Sequence, residues 1–283
     1  MRMFKHVLVA LDFSGPAMEL FSSISDLKKL GLEELLLVHV VRVELGAQDG
    51  ISPVQLKFLD KVKKKKTELE KEGLQVNIEV PVGAAPEEIK KLAIERKADL
   101  ILIGSIGESS RVRELFLGST VADVIRVAPV PVLIEKYKTE KKQASRIPIF
   151  KDKLAQVLLP TDFSSSAEHV YNEMLNFADK LHKVVLLHVI DKGDTAEKIR
   201  KVEQEAREHL GEWEKRFAEK GIETEILIKT GPPGQQIISS SGDSTLIALS
   251  RRGRGRLAGL LIGSTADQVI RRGSLPVLLF GKK

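Results

Sequence analysis

Cysteine is absent from the 283-residue sequence. That excludes disulfides, thiolate metal sites and cysteine nucleophiles, and it leads us to expect a cytoplasmic protein. No apolar run approaches the roughly 18 residues that a membrane-spanning helix needs, so no membrane partner is expected. Lys5 and then His6-Val-Leu-Val-Ala-Leu11 already belong to a first strand, so no signal peptide is expected ahead of the fold. Nor is there an H-x-x-x-H or His/Asp cluster to suggest a metal site. No G-x-S-x-G is present, and Ser14, Ser164 and the histidines form no recognisable nucleophilic triad. A Walker-type Lys-Ser/Thr after a glycine loop is missing too.

What the chain does have is a repeat. Residues 6–16 read HVLVALDFSGP and residues 156–166 read QVLLPTDFSSS. GSTVADVIR at 118–126 is echoed by GSTADQVIR at 263–271, and PVPVLI at 129–134 by LPVLL at 275–279. Self-similarity at this period fixes the architecture as two copies of one unit, and the length suits two domains of ~100–150 residues. Hydrophobic content of 42% and charged content of 30% suit a folded globular chain. The net charge of +6 is mildly basic and dispersed. Its densest run, Lys61–Lys66, lies among Glu68, Glu70 and Glu72 and reads as a solvated helix face.

Each copy alternates short Val/Ile/Leu runs with segments of helical spacing. The strands expected are Val7–Leu11, Glu34–Val40, Gln75–Val80, Leu100–Gly104 and Val130–Ile134, then Gln156–Pro160, Val184–Ile190, Glu223–Ile228, Thr245–Leu249 and Pro276–Phe280. Near-continuous apolar runs mark parallel strands buried on both faces. Between them, Ala17, Leu20, Phe21, Ile24 and Leu27 share one helical stripe, and Ile199, Val202, Ala206, Leu210, Trp213 and Phe217 trace a long amphipathic helix. Pro86 suits a first helical position ahead of Ile89, Leu92 and Ala93. Strand and helix in alternation imply right-handed crossovers and an α/β fold with a five-stranded parallel sheet in each half. The polar stretch from Lys136 to Lys153 joins the halves, with Ile147, Ile149 and Phe150 suited to packing on a neighbouring surface.

In an open parallel sheet, ligands bind beyond the carboxyl ends of the strands, near where strand order reverses. The first strand of each copy ends in Asp12-Phe13-Ser14 or Asp162-Phe163-Ser164. Such an acid can accept hydrogen bonds from a base or sugar, and Asp and Ser before a helix can equally cap its orphan amides. Both roles stay open. After the fourth strand come Gly104-Ser-Ile-Gly107 and Gly118-Ser119-Thr120 in the first copy, Ser250-Arg-Arg-Gly253 and Gly263-Ser264-Thr265 in the second. Glycines let backbone amides approach an anion, and a Gly-Ser-Thr step opening a helix adds N–H groups, hydroxyls and the positive dipole end. This order, present twice, points to nucleotide phosphate. The RRGRGR run at 251–256 carries no interleaved aromatic for base stacking, which argues against nucleic acid. His39 and His188 occupy equivalent strand ends and read as buried, hydrogen-bonded residues.

These motifs together resemble the universal stress protein family in a tandem two-domain form. The resemblance covers nearly the whole chain outside the joining stretch, including Val38-His39-Val40 and Leu187-His188-Val189. Nucleotide-binding members of that family show G-x2-G-x9-G-[ST] after the fourth strand. The resemblance implies Rossmann-like (adenine nucleotide α hydrolase-like) domains at 1–136 and 154–283, with 137–153 as linker. It implies ATP or AMP across the carboxyl ends of strands one and four, and leaves Mg²⁺ open. By position, Asp12 and Asp162 would contact adenosine, and Val40 and Val189 would touch adenine through backbone. Gly104, Gly107, Gly118, Ser119 and Thr120 would line the phosphate site of the first copy, and Ser250, Gly253, Gly263, Ser264 and Thr265 that of the second. The first copy has ten residues between Gly107 and Gly118 where the family has nine. The second keeps the spacing and has Ser250 for the first glycine. Arg251, Arg252, Arg254 and Arg256 suit the second loop to a polyphosphate, so the second site is slightly favoured. The function implied is regulatory or stress-related nucleotide binding. A slow ATPase or adenylate-handling enzyme and a scaffold without nucleotide are the alternatives. No general base stands beside either phosphate loop. The family habit of pairing through last strands implies an intramolecular pseudo-dimer and leaves a further homodimer open.

Overall fold

The computed structural model describes residues 4–12, 15–41, 53–105, 118–139, 146–148, 152–191, 195–254 and 262–281. The chain divides into two compact units, with the boundary between residues 149 and 150. In the first unit, strands β1 (His6–Ala10), β2 (Glu34–Val38), β3 (Gln75–Glu79), β4 (Leu100–Gly104) and β5 (Val132–Glu135) form a parallel array in the order β5-β4-β1-β2-β3. In the second, β8 (Gln156–Thr161), β9 (Lys183–Ile190), β10 (Glu223–Thr230), β11 (Leu246–Ser250) and β12 (Val277–Phe280) repeat it as β12-β11-β8-β9-β10. All pairings within these arrays are parallel, with Val7 opposite both Leu35 and Leu100, and Val157 opposite both Val184 and Leu246. The strands fall within two residues of the limits that the apolar runs set. Their interiors are buried because both faces are covered: Leu8, Leu35, Leu100, Val157, Leu186 and Ile247 are fully enclosed.

The crossovers are helical. In the first unit these are α1 (Ile24–Lys29), α2 (Pro53–Lys71), α3 (Ala85–Glu95) and α4 (Ser119–Val127). In the second they are α5 (Ser165–Asn176), α6 (Ala196–Ala218), α7 (Pro233–Ser239) and α8 (Ser264–Arg272). Ser164 caps α5, its Oγ accepting from the Ala167 N–H at 3.2 Å. Ser164→Ala should therefore cost about 1 kcal/mol. A urea titration followed by the fluorescence of the single tryptophan, Trp213, reads that loss in the second unit; an unmoved midpoint would deny the cap any net worth.

Two elements differ from the sequence expectation. The segment after β1 is a 3-10 helix over Gly15–Ser23 that passes into α1, where the second copy has the regular α5. Three serines account for it. The Ser22 and Ser25 hydroxyls donate to carbonyls three residues earlier, at 2.6 and 3.0 Å, and this side-chain competition favours the tighter turn. Ser23 Oγ reaches across to the fully buried Glu135 carboxylate at 2.8 Å. The second copy has Asn172, Glu173 and Leu175 at those places. The apolar stripe still faces inward, because Ala17, Leu20, Phe21, Ile24 and Leu27 are all buried. The joining stretch also holds structure. Short strands β6 (Tyr137–Thr139) and β7 (Arg146–Pro148) pair antiparallel, Lys138 opposite Ile147, and β7 packs against the 3-10 segment. Ile149 and Phe150 lie outside the described residues.

Candidate functional site

Strand order reverses between β1 and β4 in one unit and between β8 and β11 in the other. The crevice beyond the carboxyl ends of these pairs is the ligand position of a doubly wound sheet. Asp162 follows β8 directly, Asp12 follows β1 after Leu11, and Gly104 and Ser250 end β4 and β11. Gly118 and Gly263 are the N-caps of α4 and α8. The chain thus brings Asp, the end of the fourth strand and a helix N-terminus to one crevice in each copy. Gly107, Phe13 and Ser14 lie outside the described residues.

Both loops are pinned in the same way. The Ser105 N–H donates to the Glu135 carbonyl at 2.9 Å, and the Gly118 N–H donates back to the Ser105 carbonyl at 3.2 Å. In the second copy Arg251 N–H meets the Phe280 carbonyl at 2.7 Å and Gly263 N–H meets the Arg251 carbonyl at 2.8 Å. The extra residue of the first copy falls in sequence between the pins, at 106–117, outside the described residues. It does not shift the helix start. Helix α8 makes its first intrahelical bond from Asp267 N–H to the Gly263 carbonyl at 2.9 Å. The amides of residues 264–266 then have no intrahelical acceptor and present the positive dipole end to the crevice.

The second loop shows how its departure from the glycine pattern is accommodated. Ser250 Oγ donates to the Arg252 carbonyl at 2.8 Å, so the serine ties the turn that a glycine would leave untied. Asp162 is engaged at both oxygens. Oδ1 accepts from Ser164 N–H at 3.0 Å, and Oδ2 accepts from Arg254 N–H at 2.7 Å, a partner 92 residues away. A β-carbon on Gly253 would lie 2.5 Å from that Oδ2. Glycine is needed at 253 for this approach of the carboxylate. Asp162 and Ser164 divide the work that the sequence left open: Ser164 caps the helix, while Asp162 bridges β8 to the loop after β11.

The strand-two histidines secure the floor. His39 Nδ1 donates to the Leu11 carbonyl and His188 Nδ1 to the Thr161 carbonyl, both at 2.9 Å, each carbonyl immediately preceding the aspartate. A carbonyl only accepts, so Nδ1 carries the proton and the ring is held in one tautomer. Burial pushes the His188 pKa below its ordinary 6.5; the bond to the Thr161 carbonyl opposes this, the Arg254 charge adds to the lowering, and Asp162 and Asp191 act the other way. Below pH 6.5 the unfolded chain takes up this proton before the folded one does, so stability is full above about pH 6.5 and falls as pH drops toward the folded value. Unfolding free energy measured across that range should slope in the wild type and flatten in His188→Gln; parallel slopes would remove His188 as the source.

Val40 and Val189 are placed by strand alternation. Val38 offers its carbonyl to Leu11 N–H at 2.8 Å on the β1 side, while His39 N–H turns to the Glu79 carbonyl at 3.0 Å and Val41 N–H to the Pro81 carbonyl at 2.9 Å, both on the β3 side. Alternation turns the polar backbone of Val40 toward the β1 side, past the point where β1 has ended. Val189 matches it: the next carbonyl, on Ile190, accepts from Gly231 N–H at 2.9 Å on the β10 side.

One feature of this rim has no counterpart in the sequence reading. Phe163 has φ of 55°, in the left-handed region, which positions its ring against His188 with centroids 4.6 Å apart and planes 26° apart. His209 of α6 lies 5.2 Å away and Trp213 meets the ring edge-on at 6.0 Å. A bulky residue in that region is strained and persists because its surroundings fix it. The only sequence signal was that Phe follows the aspartate in both copies. Among the described residues no group of His, Cys, Asp or Glu could hold a metal ion, and no helix is long and apolar enough to cross a membrane.

Comparison with known proteins gives the same outline. The model of the universal stress protein family matches residues 3–136 and again 154–281. Universal stress protein MJ0577 of Methanocaldococcus jannaschii is 31% identical over 158 residues, covering 48% of this chain and 97% of that protein. Universal stress protein Slr1230 of Synechocystis is 28% identical over 64% of this chain, which spans only 58% of that relative's length. Among solved structures, a universal stress protein from Archaeoglobus fulgidus matches 98% of this chain and 96% of its own with a TM-score of 0.68 at 24% identity. At that identity the likeness speaks for the fold alone.

Proposed function

The chain belongs to the universal stress protein family, and on that premise we propose that it binds an adenine nucleotide, ATP or AMP, at the switch-point crevice, with the second copy the stronger site. The carrying observation is the loop closure. Paired hydrogen bonds lead each loop from strand four back to a glycine N-cap, and in the second copy residues 264–266 offer first-turn amides without an intrahelical acceptor to an anion. Arg251, Arg252 and Arg254 supply positive charge there, and the rim carries Val189 backbone suited to a purine edge. The role is regulatory: occupancy of a crevice built from two strand ends and a loop alters what the surface presents to a partner.

One observation favours a second reading, a scaffold that no longer takes nucleotide. Asp162 is already satisfied by its own chain. The two readings separate in one experiment. Denature the purified full chain, chromatograph what is released, and titrate the chain by calorimetry with ATP and with AMP. Released or bound adenine nucleotide supports the first. No binding of either at millimolar concentration overturns it.

A further inference from the structure

Resting on that nucleotide reading, we infer that Asp162 is a specificity-determining residue that withholds the second phosphate loop from bare polyphosphates and yields it to nucleotides. The Arg254 N–H is an amide of the phosphate loop, yet its acceptor belongs to a different element, the end of β8. The turn itself is tied by other groups: Ser250 Oγ holds the Arg252 carbonyl, the Arg251 N–H holds the Phe280 carbonyl, and the Arg251 carbonyl holds the Gly263 N–H. Arg254 N–H is an amide whose partner can be exchanged without unmaking those bonds.

The carboxylate acts twice against an inorganic anion. It occupies the amide, and it sets a negative charge beside the anion's path, where approach is opposed by Coulomb repulsion in a half-buried setting. A ribose changes both terms. Its hydroxyls donate to the carboxylate, which then releases Arg254 N–H to the phosphate of the same molecule. The approach of the carboxylate to the loop depends on Gly253, where a β-carbon would lie 2.5 Å from Oδ2. The backbone beneath is fixed by the bond from His188 to the Thr161 carbonyl, so only the side chain of Asp162 can turn. One carboxylate couples recognition of the sugar to opening of the phosphate site.

The test uses the full chain, ATP and inorganic tripolyphosphate, in wild type and Asp162→Asn. Wild type should bind ATP and take up tripolyphosphate poorly. Asp162→Asn should bind tripolyphosphate on the order of tenfold more tightly than wild type and ATP no better, so discrimination collapses. Unchanged or weaker tripolyphosphate binding in the folded variant, beside a loss of ATP affinity, makes Asp162 a plain ribose contact and overturns the inference. Failure of wild type to bind ATP overturns the nucleotide reading itself, and this inference with it. A readout that needs no variant is amide exchange at Arg254 in wild type: saturating adenosine, which has no phosphate, should speed it. Slower or unaltered exchange counts against the handover.

Discussion

Gly263→Val is expected to abolish nucleotide binding in the second copy while leaving the fold intact. Its φ is −69° and ψ 148°, values any residue adopts. A β-carbon there would sit 3.5 Å from the Arg251 carbonyl oxygen and 3.7 Å from Arg252 Cα, ordinary contact distances. Nothing among the described residues therefore demands glycine at 263. What demands it is the approach of an anion to the amides that follow, which the γ-methyls of valine would block. Affinity at that site should fall at least about a hundredfold, ~2.8 kcal/mol at ~1.4 kcal/mol per decade. The unfolding free energy should move by no more than about 1 kcal/mol, the scale of an unfavourable N-cap. Calorimetric titration of the full chain reads the first and urea unfolding the second. Unchanged affinity would remove Gly263 from the site, and binding would then belong to the first copy.

Tyr171→Ala should give the largest loss of stability. Tyr171 is wholly enclosed on α5. Its ring stacks on Trp213 at 4.1 Å and 16°, meets Phe217 edge-on at 5.4 Å, and lies under the Arg216 guanidinium at 5.4 Å. Truncation leaves a cavity between α5 and α6, and removing a buried aromatic of this size costs about 3–5 kcal/mol. The hydroxyl contributes less: it reaches the Trp213 carbonyl at 3.4 Å and also meets the Arg216 side chain, so Tyr171→Phe should cost about 1 kcal/mol. Two units need not unfold in one step, and a single global free energy would misstate the effect. The lone tryptophan stacks directly on Tyr171, so its fluorescence follows the second unit. The midpoint of that transition should drop sharply for alanine and far less for phenylalanine. Similar drops for both would place the stabilisation in the hydroxyl.

The strands were legible because buried parallel strands leave near-continuous Val/Ile/Leu runs, and Leu100–Gly104 matches to the residue. The 3-10 segment was not. Periods of 3.0 and 3.6 both keep Ala17 and Leu20 near one face over so few residues, and only the serine hydroxyl bonds separate them. The pairing of β6 with β7 was hidden in a polar stretch whose composition suggested only a connector. At the crevice, the types and order of the residues were readable from the duplicated motif. The link from Asp162 to Arg254 was not, since it joins residues far apart in sequence through a backbone amide that leaves no mark on residue identity. The left-handed Phe163 was equally invisible, because phenylalanine is not a residue that advertises that conformation.

The matching pins at Ser105 and Arg251 separate two things that usually change together in a binding loop. Where the chain leaves the sheet and where it re-enters a helix are held by backbone groups, which no substitution but proline removes. Length and charge between those points are then free to drift. Natural variation can retune what each copy accepts, or silence one copy, without disturbing the domain that carries it. A duplicated chain of this kind can change one copy while the other stays as it was, and the loops differ in length by one residue, 106–117 against 252–262.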